Sequence, residues 1–372
     1  MPYLGLYLLE RGLSAYDVGL AVGLLSVTRI FAPYLWGWFA DRYGGRMKIV
    51  RLSLGVALLC FAALALAPAT LQIQLIIVYG LLVYGTMGQF EVVTFTHLAA
   101  ASHRYSAIRV WGSIGFIVVV AWLGPYFDRN SVRSLPWWIA GMYLCGWLLS
   151  WRIPEPPRLA ASAAGTGVWT ILRRRPVYGL LLACLLAQLS FGVYYGFFSI
   201  YLEAHGYRRG VIGMLWGLGV VAEVCVFWWM PRVLPKLSLP MLFLWAMASM
   251  ALRWLLTMLC VDWPPALAAV QLLHGSSFGL YHLSAVSLIQ KMFPSQLQGR
   301  GQAAYIGASY GLGGAIGGWV AGWLWTRVPL GAIWIGAALV ALLGWQVARW
   351  SLRRGIDPAL PESTVAAGVP NG

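Results

Sequence analysis

Few ionisable side chains interrupt the apolar stretches of this chain, and their types are those that hold and pass protons. Glu223 lies between Gly219-Val220-Val221 and Val224-Cys225-Val226. Arg29, Arg253, His274 and His282 sit in similar surroundings, with Glu91 and His97 closer to a polar break. A charge at mid-bilayer is costly, so an ionisable residue there is a functional candidate by default. Burial disfavours a carboxylate and a neighbouring cation favours it; a carboxyl group balanced between the two can load and release a proton. Glu223 is therefore the expected proton carrier, with Arg253 as its partner and His274 placed to share the proton or bind a solute. A purely structural Glu223–Arg253 ion pair is the plainer alternative. Arg29 could grip a solute carboxylate with its two-pronged fork, or pair with Glu91 or Glu223. Glu91, Gln188, Tyr194, Tyr195, Trp216 and His282 complete the candidates for solute contact. Aromatic rings can stack on a solute, but with 21 Trp and 18 Tyr in the chain, packing and lipid-facing roles stay open. His274, Phe278 and His282 are spaced i, i+4 and i+8, which predicts a drift around one broad helix face.

Other chemistries find no residues. Cys60, Cys145, Cys184, Cys225 and Cys260 each lie in an apolar segment with no CxxC pair, as expected of packed thiols. The histidines form no HxxxH pair with nearby acids, so neither a metal site, a cofactor nor an enzyme is expected. The net charge of +15 does not point to nucleic acid, because the basic residues are scattered between apolar runs. They follow instead the bias of Lys and Arg toward the cytoplasmic ends of membrane helices.

The elements that must position these groups are membrane helices. Of the 372 residues 60% are hydrophobic and only 10% charged, and mean hydropathy is +0.74, too few charges to cover a water-facing surface. Apolar runs predict helix 2 near 15–39, helix 3 near 49–67, helix 4 near 72–100, helix 5 near 107–125 and helix 6 near 136–152. Helices 7 to 12 fall near 177–202, 210–231, 240–260, 264–290, 301–326 and 329–350. A shift of 194 positions carries Gly12 onto Gly206, Tyr7-Leu8 onto Tyr201-Leu202, Gly19 onto Gly213, Gly23 onto Gly217 and Val27 onto Val221. Such a shift is what a parallel repeat of two six-helix halves leaves behind, and it places Arg29 opposite Glu223. It divides the chain into an N-terminal half (1–152), a linker (153–176), a C-terminal half (177–351) and a disordered tail (352–372). By the same shift helix 1 is incomplete in this chain, short of about 17 residues before Met1. An all-α polytopic membrane protein of twelve spans, the first truncated, is the expected fold. Basic residues outnumber about three to one on the side holding Arg42, Arg46, Arg51, Arg104, Arg109, Lys236 and Arg173-Arg174-Arg175, against the side of Arg11, Arg133 and Arg209. That puts linker and C-terminus in the cytoplasm.

The break after helix 2 reads Gly37-Trp38-Phe39-Ala40-Asp41-Arg42-Tyr43-Gly44-Gly45-Arg46. It resembles the G-x-x-x-D-R-x-G-x-R signature loop of the major facilitator superfamily. By that resemblance Gly37, Asp41, Arg42, Gly44 and Arg46 form a conformational latch between the halves, with Asp41 ending its helix and Gly37 admitting a neighbour. Tyr194-Tyr195-Gly196-Phe197, Leu215–Glu223, Arg253-Trp254, Gln271–His274 and His282-Leu283 look like the phenylpropionate permease branch, itself similar to the lactose permease and nucleoside–proton symporter groups. The chain departs from that branch in helix 4, where an acid is common near Thr96-His97 and the nearest here is Glu91. Glycines of helix 11, and to a lesser extent Gly112 and Gly115 of helix 5, are expected to line the seam between halves. The resemblance implies a proton-coupled symporter of a small organic solute, such as an aromatic or other organic acid. It implies a monomer in the bacterial inner membrane. A proton-driven exporter and a non-transporting membrane sensor are the alternatives.

Overall fold

The computed structural model describes residues 2–98, 105–157, 167–233 and 237–353. Arg104, Lys236, most of the small-residue tract of the linker and the tail beyond Arg353 lie outside the described residues. The rest is helical, with no strand among the described residues. We number the main helices α1 Leu4–Glu10, α2 Ala15–Tyr43, α3 Arg46–Leu66, α4 Gln72–Leu98, α5 Tyr105–Arg129 and α6 Leu135–Ser150. Then come α7 Arg175–Ala204, α8 Arg209–Val233 and α9 Leu239–Leu259. The helix α10 runs from Pro264 to Met292 through a π-helical segment, Gly275–Leu280. Likewise α11 runs from Gln298 to Leu324 through Gly307–Gly313, and α12 spans Ala332–Leu352. Among the described residues eight helices are long and apolar enough to cross a membrane. The twelve spans expected from the sequence are not all met by that measure, because α1 and α6 are short and α10 and α11 are split by their π-helical turns.

Local chemistry sets the ends. Ser14 caps α2 in a reciprocal box: its hydroxyl accepts from Asp17 N–H at 3.2 Å and the Asp17 carboxylate accepts from Ser14 N–H at 2.9 Å, satisfying donors that the helix start leaves open. Gly12 and Gly206, superimposed by the 194-residue shift, both adopt left-handed backbone, φ 89° and 79°. Each closes the turn into the next long helix at a conformation other residues resist.

Two seams join the parts of the bundle, α2 against α11 and α5 against α8. Small residues bring the backbones together at one end. A Cβ on Gly19 would meet the Gly318 carbonyl and Gly322 Cα, both at 2.6 Å, and one on Gly213 would meet the Val120 carbonyl at 2.4 Å. Polar ties reinforce this end. The Asp128 carboxylate accepts from Gly210 N–H at 3.2 Å, at the positive start of α8. Arg209 bridges Glu203 at 2.7 Å and Glu10 at 3.5 Å, and Glu10 also accepts from Ser131. At the other end, where Arg42 and Arg46 lie, positions Gly37, Gly115 and Gly307 face no atom within 4 Å. The helix 5 glycines expected at the seam therefore do not touch it here; Gly124 and Val120, nearer the closed end, do.

Closure at the Glu10–Arg209 end rests on that glycine contact. Gly19→Val would drive two methyls into the α11 backbone, an overpacking of about 1–3 kcal/mol. A single reporter cysteine at Val22, in a background without native cysteines, should then react with a polar maleimide about tenfold or more faster from the Glu10 side. Unchanged labelling would show that the glycine contact does not hold this end shut.

Candidate substrate and proton site

The ionisable groups meet where α7, α8, α9 and α10 pack. Glycines allow it. A Cβ on Gly219 of α8 would stand 3.3 Å from His274 Cβ, one on Gly275 of α10 would stand 2.6 Å from the Ala222 carbonyl, and one on Gly279 would stand 3.4 Å from Glu223 Cγ. The two helices thus lie close enough for His274 and Glu223 to face each other. His274 Nε2 is 3.6 Å from Glu223 Oε2, and Arg253 Nη1 donates to His274 Nδ1 at 2.8 Å. A guanidinium has donors only, so Nδ1 accepts and the proton of the neutral ring is on Nε2, directed at the carboxylate. Arg253 is completely buried, against the rings of Tyr194 and Trp254 at 4.3 and 4.8 Å.

The sequence expectation of a direct Glu223–Arg253 pair is corrected by this order: an imidazole stands between them. The expected drift of His274, Phe278 and His282 is corrected as well. Their rings stack in parallel, with centroids 5.2 and 6.2 Å apart and planes within 5° and 7°. The wider π-helical turn between them takes up the rotation an α-helix would leave. His282 Nδ1 lies 3.1 Å from both the Tyr305 and the Tyr310 hydroxyls.

Arg29, on α2, reaches the same region from the other seam partner. Its Nη2 donates to the Tyr84 hydroxyl at 2.7 Å, and its guanidinium lies 4.3 and 5.8 Å from the Tyr84 and Tyr310 rings. Its Nε has no hydrogen-bond partner, and among the described residues no carboxylate lies within 4.0 Å of it. It pairs with neither Glu91 nor Glu223. Glu91 is exposed on α4 and accepts from the Tyr105 hydroxyl at 3.3 Å, apart from this group. Gln188 and Tyr194 are buried, Tyr195 half-buried, and Gln188 Nε2 lacks a partner. Trp216 stacks on Tyr195 and donates to Ser199 at 2.9 Å, and Ser199 donates to the Pro2 carbonyl at 2.6 Å. Tyr84 and Tyr310 were missed by sequence reasoning, which had no signal to pick them from so many aromatic residues, and Gln271 was marked only as part of a resembling segment, with no role. Arg109, counted among the basic residues of one side, lies in the early turns of α5, within the span expected for helix 5, and its charge reaches Glu223 and His282.

The signature loop folds on itself. Arg46 bonds Asp41 at 2.6 Å and Gln89 of α4 at 2.5 Å. Asp41 does not end its helix, which runs to Tyr43 and stops at Gly44 and Gly45, φ 68° and 76°. Gly37 admits no neighbour in this state, and Arg42 is exposed.

A family model described as the MFS_1 like family matches residues 1–335. The chain belongs to that family. It is thus a major facilitator transporter, a multi-pass membrane protein that moves a small solute and not an enzyme. The Escherichia coli (strain K12) protein called "Probable 3-phenylpropionic acid transporter" is 29% identical over 92% of this chain and 90% of its own length. Maltose permease of Geobacillus stearothermophilus is 25% identical, over 92% and 88%. Among solved structures, that of the nucleoside transporter NupG matches with a TM-score of 0.79 at 16% identity, over 95% of this chain and 94% of that one. In this family member Arg29 and Glu223 lie on α2 and α8, the helices that form the two seams.

The α8–α10 approach makes one outcome definite. Gly275→Ala puts a methyl 2.6 Å from the Ala222 carbonyl, so the helices must part and Glu223 must leave His274. Solute uptake should fall about tenfold or more, with helical content by circular dichroism retained. Full activity would mean the close approach is dispensable.

Proposed function

We propose that this protein is a proton-coupled symporter of a small organic acid, seated in a bacterial inner membrane and working by alternating access. The observation that carries the reading is Arg29, a half-buried guanidinium with an unbonded Nε and no carboxylate beside it among the described residues. Around the site three cations, Arg29, Arg253 and Arg109, are set against one acid, Glu223. A bound carboxylate supplies the missing negative charge and fits the planar fork of Arg29. The 29% identity to a protein called a phenylpropionic acid transporter agrees with an acid as solute. The Tyr195, Trp216 and Phe278 rings offer faces for its apolar part.

On this reading residues 1–152 and 177–351 are the two halves and 153–176 is a cytoplasmic linker. The Arg- and Lys-rich end is cytoplasmic, so the described state is closed to the outside and open inward. Outside, Glu223 takes a proton and the acid docks on Arg29. After the halves tilt, both leave to the cytoplasm. His274 steadies the Glu223 carboxyl through its Nε2–H, and Arg253 sets the orientation of the ring.

Two substitutions test this in proteoliposomes with labelled 3-phenylpropionate. Glu223→Gln should abolish uphill uptake driven by an inward proton gradient while solute exchange persists; unchanged coupling refutes the proton role. Arg29→Lys keeps the charge but loses the fork, and should weaken the apparent affinity by about 10- to 100-fold, the equivalent of a charge-assisted hydrogen bond of about 1.5–3 kcal/mol. Equal loss for a neutral analogue of the acid would show that Arg29 does not read the carboxylate.

A further inference from the structure

The guanidinium of Arg253 is held by uncharged partners. Nη2 donates to Gln271 Oε1 at 3.0 Å, Nη1 donates to His274 Nδ1 at 2.8 Å, and Ser277 Oγ is 3.5 Å from Nη1. Arg253, Gln271 and Ser277 are all at 0% exposure. Gln271 precedes His274 by three residues on α10, so both side chains share a face and receive the two prongs of one rigid fork from α9. Fixing one prong of a planar guanidinium fixes the other.

We propose that Gln271 is a positioning residue for the proton step: by anchoring Arg253 it keeps His274 in the Nε2–H tautomer, with its single ring proton turned to Glu223. The proposal rests on the reading of Glu223 as proton carrier. Held in this way, Arg253 occupies Nδ1, so His274 cannot take a second proton there, and the guanidinium cannot turn past the ring toward the carboxylate. The other charged or titratable groups around this trio are Tyr194 and Tyr195 on α7, Tyr310 on α11, His282 on α10 itself, Arg109 on α5 and, through Tyr310, Arg29 on α2. Among the described residues none of them makes a salt bridge to Glu223, which has the neutral His274 ring 3.6 Å away.

Two variants act in opposite senses. Gln271→Met removes the acceptor; Arg253 is released to swing toward Glu223 and favour its ionised form. Gln271→Glu keeps the acceptor and adds a negative charge, which favours a protonated Glu223. The full chain, reconstituted in lipid, is titrated by infrared difference spectroscopy on the Glu223 carboxyl band, assigned by its loss in Glu223→Gln. The midpoint should fall by about one pH unit or more in Gln271→Met and rise by as much in Gln271→Glu, as a charge moved within a few ångströms dictates. Nitrogen-15 NMR of labelled histidine, with His274 assigned by its loss in His274→Asn, should show one Nε2–H tautomer in the wild type and Gln271→Glu and a mixture in Gln271→Met. If Gln271→Met fails to fold, the upward shift and retained tautomer in Gln271→Glu still decide the matter. A wild-type Glu223 band that never titrates brings down the proton-carrier reading and this proposal with it. A titrating band with the same midpoint in every folded variant, together with an unaltered His274 signal, overturns the role of Gln271 alone.

Discussion

A guanidinium sealed inside a helical bundle with no carboxylate against it must draw its compensation from neutral groups. Arg253 does so through Gln271, His274 and the rings of Tyr194 and Trp254. A hydrogen bond involving a charged group contributes about 1.5–3 kcal/mol and a desolvated cation–π contact about 2 kcal/mol. Together they are of the order of the several kcal/mol lost when an ion leaves water. The balance holds only while every partner stays in place. That requirement explains why α7, α9 and α10 are packed so closely here, and why glycines of α8 and α10 bring Glu223 to the far side of the same imidazole.

The seams obey a different physics. Lipid gives helices no hydrophobic reason to associate, so close backbone approach and polar ties must do it. Both are concentrated at the Glu10–Arg209 end, through Gly19, Gly213, Gly318 and the Asp128 contact to the start of α8. Trp216 couples this end to the site: its indole reaches Ser199, and Ser199 reaches the Pro2 carbonyl. A solute that displaced the Trp216 ring would loosen a tie of the closed end. These ties lie at one end of the bundle, while a Cβ on Gly37, Gly115 or Gly307 toward the other would meet nothing within 4 Å.

Hydropathy made the helices legible, and the cost of burying charge made Glu223, Arg253 and His274 stand out. Gly12 and Gly206 were legible only as a match under the 194-residue shift, and the structure gives both the same left-handed turn. What stayed hidden depends on rotation and reach. Periodicity assumes α-helical spacing, so the π-helical turn that stacks His274, Phe278 and His282 could not be read. Long side chains defeat placement by sequence: Arg29 finds Tyr84 instead of an acid, and Arg109, from the first turns of α5, acts on Glu223. Tyr84 and Tyr310 were invisible among many tyrosines because nothing local marks a ring that faces a cation.

Interposing His274 between Arg253 and Glu223 suits a group that must change its charge. A direct bidentate pair would fix the carboxylate in its ionised form, and breaking such a buried pair costs about 3–5 kcal/mol, too deep a well for a carrier that reloads in each cycle. With the imidazole accepting at 2.8 Å on one side and standing 3.6 Å from the carboxylate on the other, the positive charge is felt at Glu223 without capturing it. A small change in the α8–α10 distance then decides whether the ring proton engages the carboxylate. Because Arg253 is anchored on α9 and α10 while Glu223 rides on α8, whose other face forms a seam with α5, the tilt that opens that seam acts directly on this distance. On the proposed symporter reading, proton loading and the change of access are linked through one helix.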